Sequence, residues 1–254
     1  MGSGKKIMMA DIPWPEYQKR VAEEVVLLPV GTTEQHGYHM PLGVDAYQVE
    51  FLAQEVAKKI DAIVAPTVWY GYKSQPHSGG GQLFPTTGLN AQTLILLVRD
   101  ILTEFIRHGA RKIVILDGHY ENAMMLTEAV DLALRASGRD DVRIIKSSFV
   151  NMIDQELTET LWPDGFPGWD LEHAGLLETS LMLYIKPGVV DMNKALKVEA
   201  NLPRYEVFPQ YEGLVPASGA LADPTRATAE YGKMLVENIV MNYVKSIEEA
   251  FQLG

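Results

Sequence analysis

"EEVVLLPVGTTEQH", residues 23–36, sets an uninterrupted apolar run against a polar segment, with Pro29 and Gly31 at the junction. A short apolar, β-branched run without polar alternation reads as a strand buried on both faces. Three further runs of this kind follow: "AIVAPTVWYG" (62–71), "RKIVILDG" (111–118) and "VRIIKSSF" (142–149). Between and after them lie segments with apolar residues at helical spacing, at 46–60, 90–109, 121–138, 174–185 and 225–251. Two of these close on Gly109 and Gly138, placed as C-caps. Strand and helix alternate, with no repeat and no linker. The pattern predicts a single α/β domain over residues 1–254: a mostly parallel sheet with helices on both faces, a three-layer sandwich. Residues 1–6 are expected to be flexible or partly introduced for expression.

The composition narrows the function classes. A net charge of −11 repels phosphate backbones, which argues against nucleic acid and anionic membrane surfaces as partners. There is no cysteine, so thiolate nucleophiles, disulfides and Cys-zinc sites are excluded, and any metal must be held by His, Asp and Glu. No apolar window approaches a membrane span and no signal peptide is evident, so a cytoplasmic protein is expected.

In open α/β sheets, ligands bind beyond the carboxyl ends of the strands. Polar segments stand there: "TTEQHGYH" after the first strand, "YGYKSQPHSGGG" after the second and "GHYEN" after the third. Glu34 and His36 form an E-x-H pair, His119 and Glu121 an H-x-E pair, and Asp45 opens a helix on the first loop. Residues two apart in extended chain point the same way, so each pair presents two ligands to one side. Either pair alone is common in polar loops. Both at strand ends, with Asp45 between them, point to two divalent ions about 3.5–4 Å apart, bridged by a carboxylate. Imidazole with carboxylate favours Zn²⁺ or Mn²⁺. His39 has the wrong parity for a ligand and reads as a packing residue. His108 suits the last turn of a helix. The "SGGG" run (78–81) lets backbone approach closely. In "GWDLEHAG" (168–175), Asp170 is expected to cap a helix, with Glu172 favourable to its dipole, while Trp169 and His173 offer a stacking surface and a proton donor.

Four segments together resemble the creatininase (creatinine amidohydrolase) family: "PVGTTEQHGYHMPLGVD" (29–45), "YGYKSQPHSGGG" (70–81), "GHYEN" (118–122) and "GWDLEHAGLLETSLML" (168–183). The similarity runs from about Trp14 to the last helix. It implies a binuclear hydrolase with two divalent ions per subunit, Zn²⁺ and/or Mn²⁺, assembled as a homohexamer. By the family pattern Glu34, Asp45 and His119 hold one ion, and His36, Asp45 and Glu121 the other. Ser78, Tyr120, Trp169, Asp170 and His173 match substrate-contacting positions. His173 matches the proton donor to the leaving nitrogen, and His173 and Glu121 are the expected catalytic residues.

The implied reaction is reversible opening of the cyclic amide of creatinine, a small-molecule substrate, to creatine, by water activated at the metals. Trp169 would stack on the guanidinium, worth about 0.5–2 kcal/mol, and Asp170 and Glu172 could pair with it. Two departures from the family pattern stand out. Val150, beside Phe149, occupies the place of a second tryptophan that closes over the substrate, and Tyr38 replaces a histidine. The alternative is therefore a family hydrolase of another small cyclic amide or carbonyl compound, such as a formamide or an inositol-derived diketone. A catalytically silent metal-binding relative is the reading from another class, and the complete ligand set argues against it.

Overall fold

The computed structural model describes residues 5–211 and 213–253. In chain order its regular elements are α1 (Trp14–Arg20), β1 (Val25–Val30), α2 (Val44–Ala57), β2 (Ala62–Val64), α3 (Pro76–Gly79), α4 (Ala91–Arg107), β3 (Lys112–Asp117), α5 (Ala123–Ser137), β4 (Arg143–Ser148), α6 (Gln155–Leu161), α7 (Leu176–Ile185) and α8 (Ala229–Phe251). Short 3-10 turns lie between them, one of them at Tyr120–Asn122. The strands form one sheet in the order β2-β1-β3-β4, parallel at every pairing, with Val25 opposite Ala62, Val26 opposite Ile113 and Ile113 opposite Ile144.

Side chains alternate across a strand, so β1 and β3 feed two cores. Val25, Leu27, Val114 and Leu116 pack with α2, α7 and α8 on one face. Val26, Leu28, Val30, Ile113 and Ile115 pack with α4 and α5 on the other. Covering both faces is what makes the strand sequences continuous apolar runs, and it yields the three-layer α/β domain that the pattern predicts. The α4 stripe Leu94, Val98, Leu102 and Phe105 is spaced for one helical face. The helix stops at Gly109, φ +104°, whose N–H donates to the Ile106 carbonyl at 3.0 Å while Ala110 N–H reaches the Phe105 carbonyl at 3.0 Å. This is the glycine C-cap expected from sequence.

Two strands differ from expectation. β2 ends at Val64, because Pro66 carries no N–H and steers Ala65 away from regular pairing. β4 has only one neighbour, and Arg143 and Lys146 keep it partly solvated where a buried strand was expected. At the N-terminus, residues 1–4 of the segment expected to be flexible lie outside the described residues. Lys5 is placed, with its ammonium 3.2 Å from Glu24. No helix among the described residues is long and apolar enough to cross a membrane.

The connectivity locates the site. From β1 the chain moves outward to β2, and from β3 outward the other way to β4, so the strand order reverses between β1 and β3. A crevice opens at such a switch point, beyond the carboxyl ends. Gly31 and Gly118, just past these two strands, let the first turn of α2 slide into it. A Cβ at Gly31 would lie 2.5 Å from Ala46 N, and one at Gly118 2.8 Å from the Asp45 carbonyl oxygen.

Candidate active site

Asp45, in the first turn of α2, is thereby delivered between the ends of β1 and β3 and is buried. His119 lies on one side of it, with Nδ1 3.2 Å from Asp45 Oδ2 and 3.1 Å from Glu34 Oε1. His36 lies on the other, with Nε2 2.9 Å from Asp45 Oδ1. Each imidazole is anchored by its second nitrogen. His119 Nε2–H donates to the Tyr72 carbonyl at 3.0 Å, and His36 Nδ1–H to the Glu34 carbonyl at 3.3 Å. Such backbone contacts fix the tautomer and leave the other nitrogen as a donor atom for a metal.

Glu121 does not join His36 and Asp45. Its Oε1 accepts from Gln75 N–H at 2.6 Å and from the Ser78 hydroxyl at 2.8 Å, and its Oε2 lies 3.3 Å from His119 Nε2, on the far edge of that ring. His119 and Glu121 still meet, although the chain leaves extended geometry at Tyr120 and enters a 3-10 turn. Glu178 lies beside His36, its Oε1 3.5 Å from His36 Nε2. The candidate ligand atoms thus fall into three buried groups: Glu34–Asp45–His119 and His36–Asp45–Glu178, which share Asp45, and Glu34–His36–His173. Sequence reasoning missed Glu178. Its one signal is a polar "ETS" inside the apolar run "LLETSLML".

His173 faces this cluster across a cavity that Glu34, Asp45, His119, Glu121, Glu178 and His173 all line. Its ring is 4.6 Å from that of His36, centroid to centroid. Gln35, also missed from sequence, sets its tautomer. The two hydrogens of the Gln35 amide go to the Gly79 and Gly219 carbonyls at 3.1 and 3.2 Å. His173 Nε2–H therefore donates to the Gln35 backbone carbonyl at 3.0 Å, and Nδ1 is left facing Glu34 Oε1, 3.9 Å away. The glycines are needed for this packing, since a Cβ at Gly219 would fall 2.0 Å from Gln35 Oε1. A Cβ at Gly79 would fall 2.7 Å from Ser74 Cβ, and the Ser74 hydroxyl donates to Glu34.

Ser78, Tyr120 and Trp169 line the same cavity, as do Phe149 and Val150. Phe149 is buried in the core, so its ring is part of the wall. Trp169 is braced edge-on by Trp162 and Phe166, with centroids 6.0 and 4.3 Å away. Asp170 is exposed and does not line the cavity. Its expected capping role is corrected: α7 begins only at Leu176, after Gly175. Glu172 does serve that helix end, its Oε1 accepting Leu177 N–H at 2.6 Å. His39 is a packing residue, bonded to the Thr179 hydroxyl at 2.9 Å. His108 caps the end of α4 beside Tyr17.

Burial alone would push His36 and His119 down. The carboxylates of Glu178 and Asp45 around His36, and of Glu34 and Glu121 around His119, outweigh it and hold both well above the ordinary histidine value. Burial would raise Asp45, and the two imidazoles instead hold it well below the usual carboxylate range. His173 has no such support. Burial, with His36 adding to it, holds it below the ordinary value. The carboxyl of Asp117, buried under His119 N–H and the Asn122 amide, is pushed by burial up to about 7.

The residues fit two divalent ions. Carboxylates from Glu34, Asp45, Glu121 and Glu178 surround two imidazoles, an excess of negative charge in a buried place. His36 Nε2, both Asp45 carboxylate oxygens and Glu121 Oε2 are buried without a hydrogen-bond partner among the described residues. His36 Nε2 and the Asp45 oxygens lie close together, with His36 Nε2 2.9 Å from Asp45 Oδ1, which is the arrangement of ligands aimed at a shared ion. Imidazole and carboxylate donors are those of zinc and manganese.

A parallel α/β sheet with His and carboxylate donors at its switch point, and a histidine opposite them, defines a metal-dependent hydrolase. The creatininase family model, described as creatinine amidohydrolase, matches residues 10–247. The chain belongs to the creatininase family. It is 42% identical over 255 residues to the creatinine amidohydrolase of Pseudomonas putida, covering 97% of this chain and 98% of that protein. It is 34% identical over 230 residues to the mycofactocin precursor peptide peptidase of Mycolicibacterium smegmatis, covering 85% and 81%. Among solved structures, a manganese creatininase matches at TM-score 0.94 and 42% identity, over 97% of this chain and 99% of that one. A mutant creatininase complexed with creatine matches equally, at TM-score 0.94 and 42% identity over 97% and 99%.

Proposed function

We propose that this protein hydrolyses creatinine to creatine, reversibly, with two divalent ions per chain, zinc and/or manganese. The observation that carries the reading is the cavity in which the ligand cluster and His173 Nδ1 face one another, with Trp169 in its lining. Glu34, Asp45 and His119 would hold one ion. His36 and Asp45 would hold the other, with Glu121 as the ligand that the family pattern supplies. Ions held there acidify water and polarise a carbonyl.

The chain's own groups do the rest. His173, neutral through burial, takes a proton at Nδ1 from the water that attacks the ring carbonyl. As the bond from the carbonyl carbon to the ring nitrogen breaks, the same Nδ1 returns that proton to the departing nitrogen. Nε2–H stays on the Gln35 carbonyl throughout, so the ring keeps its orientation. Trp169 presents an indole to the guanidinium, and Ser78 and Tyr120 complete the lining.

A second reading rests on Val150, which lines the cavity where the family pattern has an indole. It makes the substrate another small cyclic amide or carbonyl compound. The assay that separates the two supplies Zn²⁺ or Mn²⁺ with creatinine and follows creatine. Turnover supports the first reading; none at full metal loading overturns it. A homohexamer in the cytoplasm goes with the proposal. Light scattering should then give six times the 28.2 kDa chain mass, and a smaller particle would contradict the assembly.

A further inference from the structure

We propose that Glu178 is a positioning residue: it aims His173 by pinning the backbone of Ala174, while its other oxygen faces His36. The inference rests on the proposed role of His173. Ala174 follows His173 directly and has φ +54°, left-handed in a residue with a Cβ. Only one other non-glycine residue among those described has a positive φ, Gln252, at the end of α8. An L-residue is driven out of this region by contact between Cβ and its own backbone, so neighbouring contacts must hold it there.

Glu178 Oε2 supplies that contact, accepting Ala174 N–H at 2.6 Å. Glu178 is the third residue of α7, counted from the Gly175 N-cap. A glutamate at this place commonly reaches back to the N–H of the cap residue itself. Here it reaches one residue further, to Ala174. The bond therefore closes the turn that carries His173 and does not cap the helix. Neighbouring bonds tie down the same turn: Leu221 N–H to the His173 carbonyl at 3.0 Å, and Leu177 N–H to Glu172. What sets Glu178 apart is its second oxygen, Oε1, 3.5 Å from His36 Nε2. One carboxylate thus spans the ligand cluster and the backbone of the proton carrier. A shift of the cluster at His36 is transmitted to the direction of His173.

The test compares wild type, Glu178→Ala, Glu178→Gln and the double variant Glu178→Ala with Ala174→Gly, all zinc-loaded. Creatinine kcat and KM, bound zinc per chain and the crystallographic φ at residue 174 are measured for each. In Glu178→Ala, kcat should fall about tenfold with KM little changed, the size of a lost left-handed conformation. Glu178→Gln keeps an acceptor for Ala174 N–H and should retain most of kcat. Glycine enters the left-handed region freely, so adding Ala174→Gly should restore most of what Glu178→Ala loses. A wild-type kcat in Glu178→Ala would overturn the proposal. So would a loss that Ala174→Gly fails to recover, and if zinc is lost with it, Glu178 is a ligand only. The φ measurement is independent of turnover. Residue 174 should leave the positive-φ region in Glu178→Ala, and a value still near +54° overturns the inference even if wild type proves not to open creatinine.

Discussion

Glu34, His36, Asp45 and His119 hang from the ends of β1 and β3 and the first turn of α2, whereas Trp169, Glu172 and His173 come from an irregular segment outside the sheet. The first group inherits its positions from a parallel ladder with a packed core on each face. The second is held by single hydrogen bonds: Gln35 to His173, Glu178 to Ala174, Glu172 to Leu177 and Leu221 to His173. The floor is rigid by construction, and ligands on rigid elements suit metal binding. The wall is adjustable, and its composition decides which substrate fits. Changes in the floor should therefore be read in bound metal, and changes in the wall in turnover, KM or local stability.

Substituting the shared floor residue should have the largest effect. Asp45→Asn removes the charge that both ligand groups share, so bound metal and creatine formation should be lost together. An Asp45→Asn protein that keeps its metal would erase the distinction between floor and wall. His173→Ala comes next. Removing a proton-transfer group should lower kcat about 10²–10⁴-fold, measured as creatine formed under saturating creatinine. Val150→Trp acts on the wall alone. An added indole against the substrate should lower KM for creatinine roughly threefold to tenfold, and an unchanged KM would show that this side of the cavity does not touch the ring.

The remaining effect, read apart from metal and turnover, is a pH dependence of stability. Burial raises the Glu172 carboxyl from 4.5 to about 8, and Glu178 and Asp223 add to the rise. The folded chain thus holds this proton more tightly than the unfolded chain does. Its stabilising contribution is full below about pH 4.5 and is lost as pH climbs through about 8. Glu172→Gln does not titrate and keeps an acceptor for Leu177 N–H. The Tm of wild type relative to Glu172→Gln should accordingly fall between about pH 5 and pH 9. A constant difference would contradict the buried environment assigned to Glu172.

The contrast between floor and wall also explains what the sequence makes legible. Strands buried on both faces must be apolar throughout, so β1 and β3 are visible as runs, and the polar residues just beyond them stand out. Glu34, His36, Asp45 and His119 are found in this way. The spacing argument brings Glu121 to His119, 3.3 Å from its Nε2, but it assumes extended chain, and the 3-10 turn at Tyr120 aims the carboxylate at the far edge of that ring. It cannot reach Glu178, which lies 133 residues beyond Asp45 on an apolar helix and meets His36 only through the packing of α7 beside α2. Gln35 is adjacent to two ligands in sequence, yet its role depends on carbonyls brought in from Gly79 and Gly219. Such contacts have no local pattern. Asp170 shows the opposite error: a carboxylate near a helix start suggests a cap, and the helix starts later.

Bound metal in His173→Ala is the most direct test of the central claim, that the floor holds the ions and the wall moves the proton. Elemental analysis after gel filtration should find the same two ions per chain in His173→Ala as in wild type, although the variant has lost turnover. Loss of metal from His173→Ala would contradict the account and make His173 a ligand, the role that its place beside Glu34 and His36 would then require.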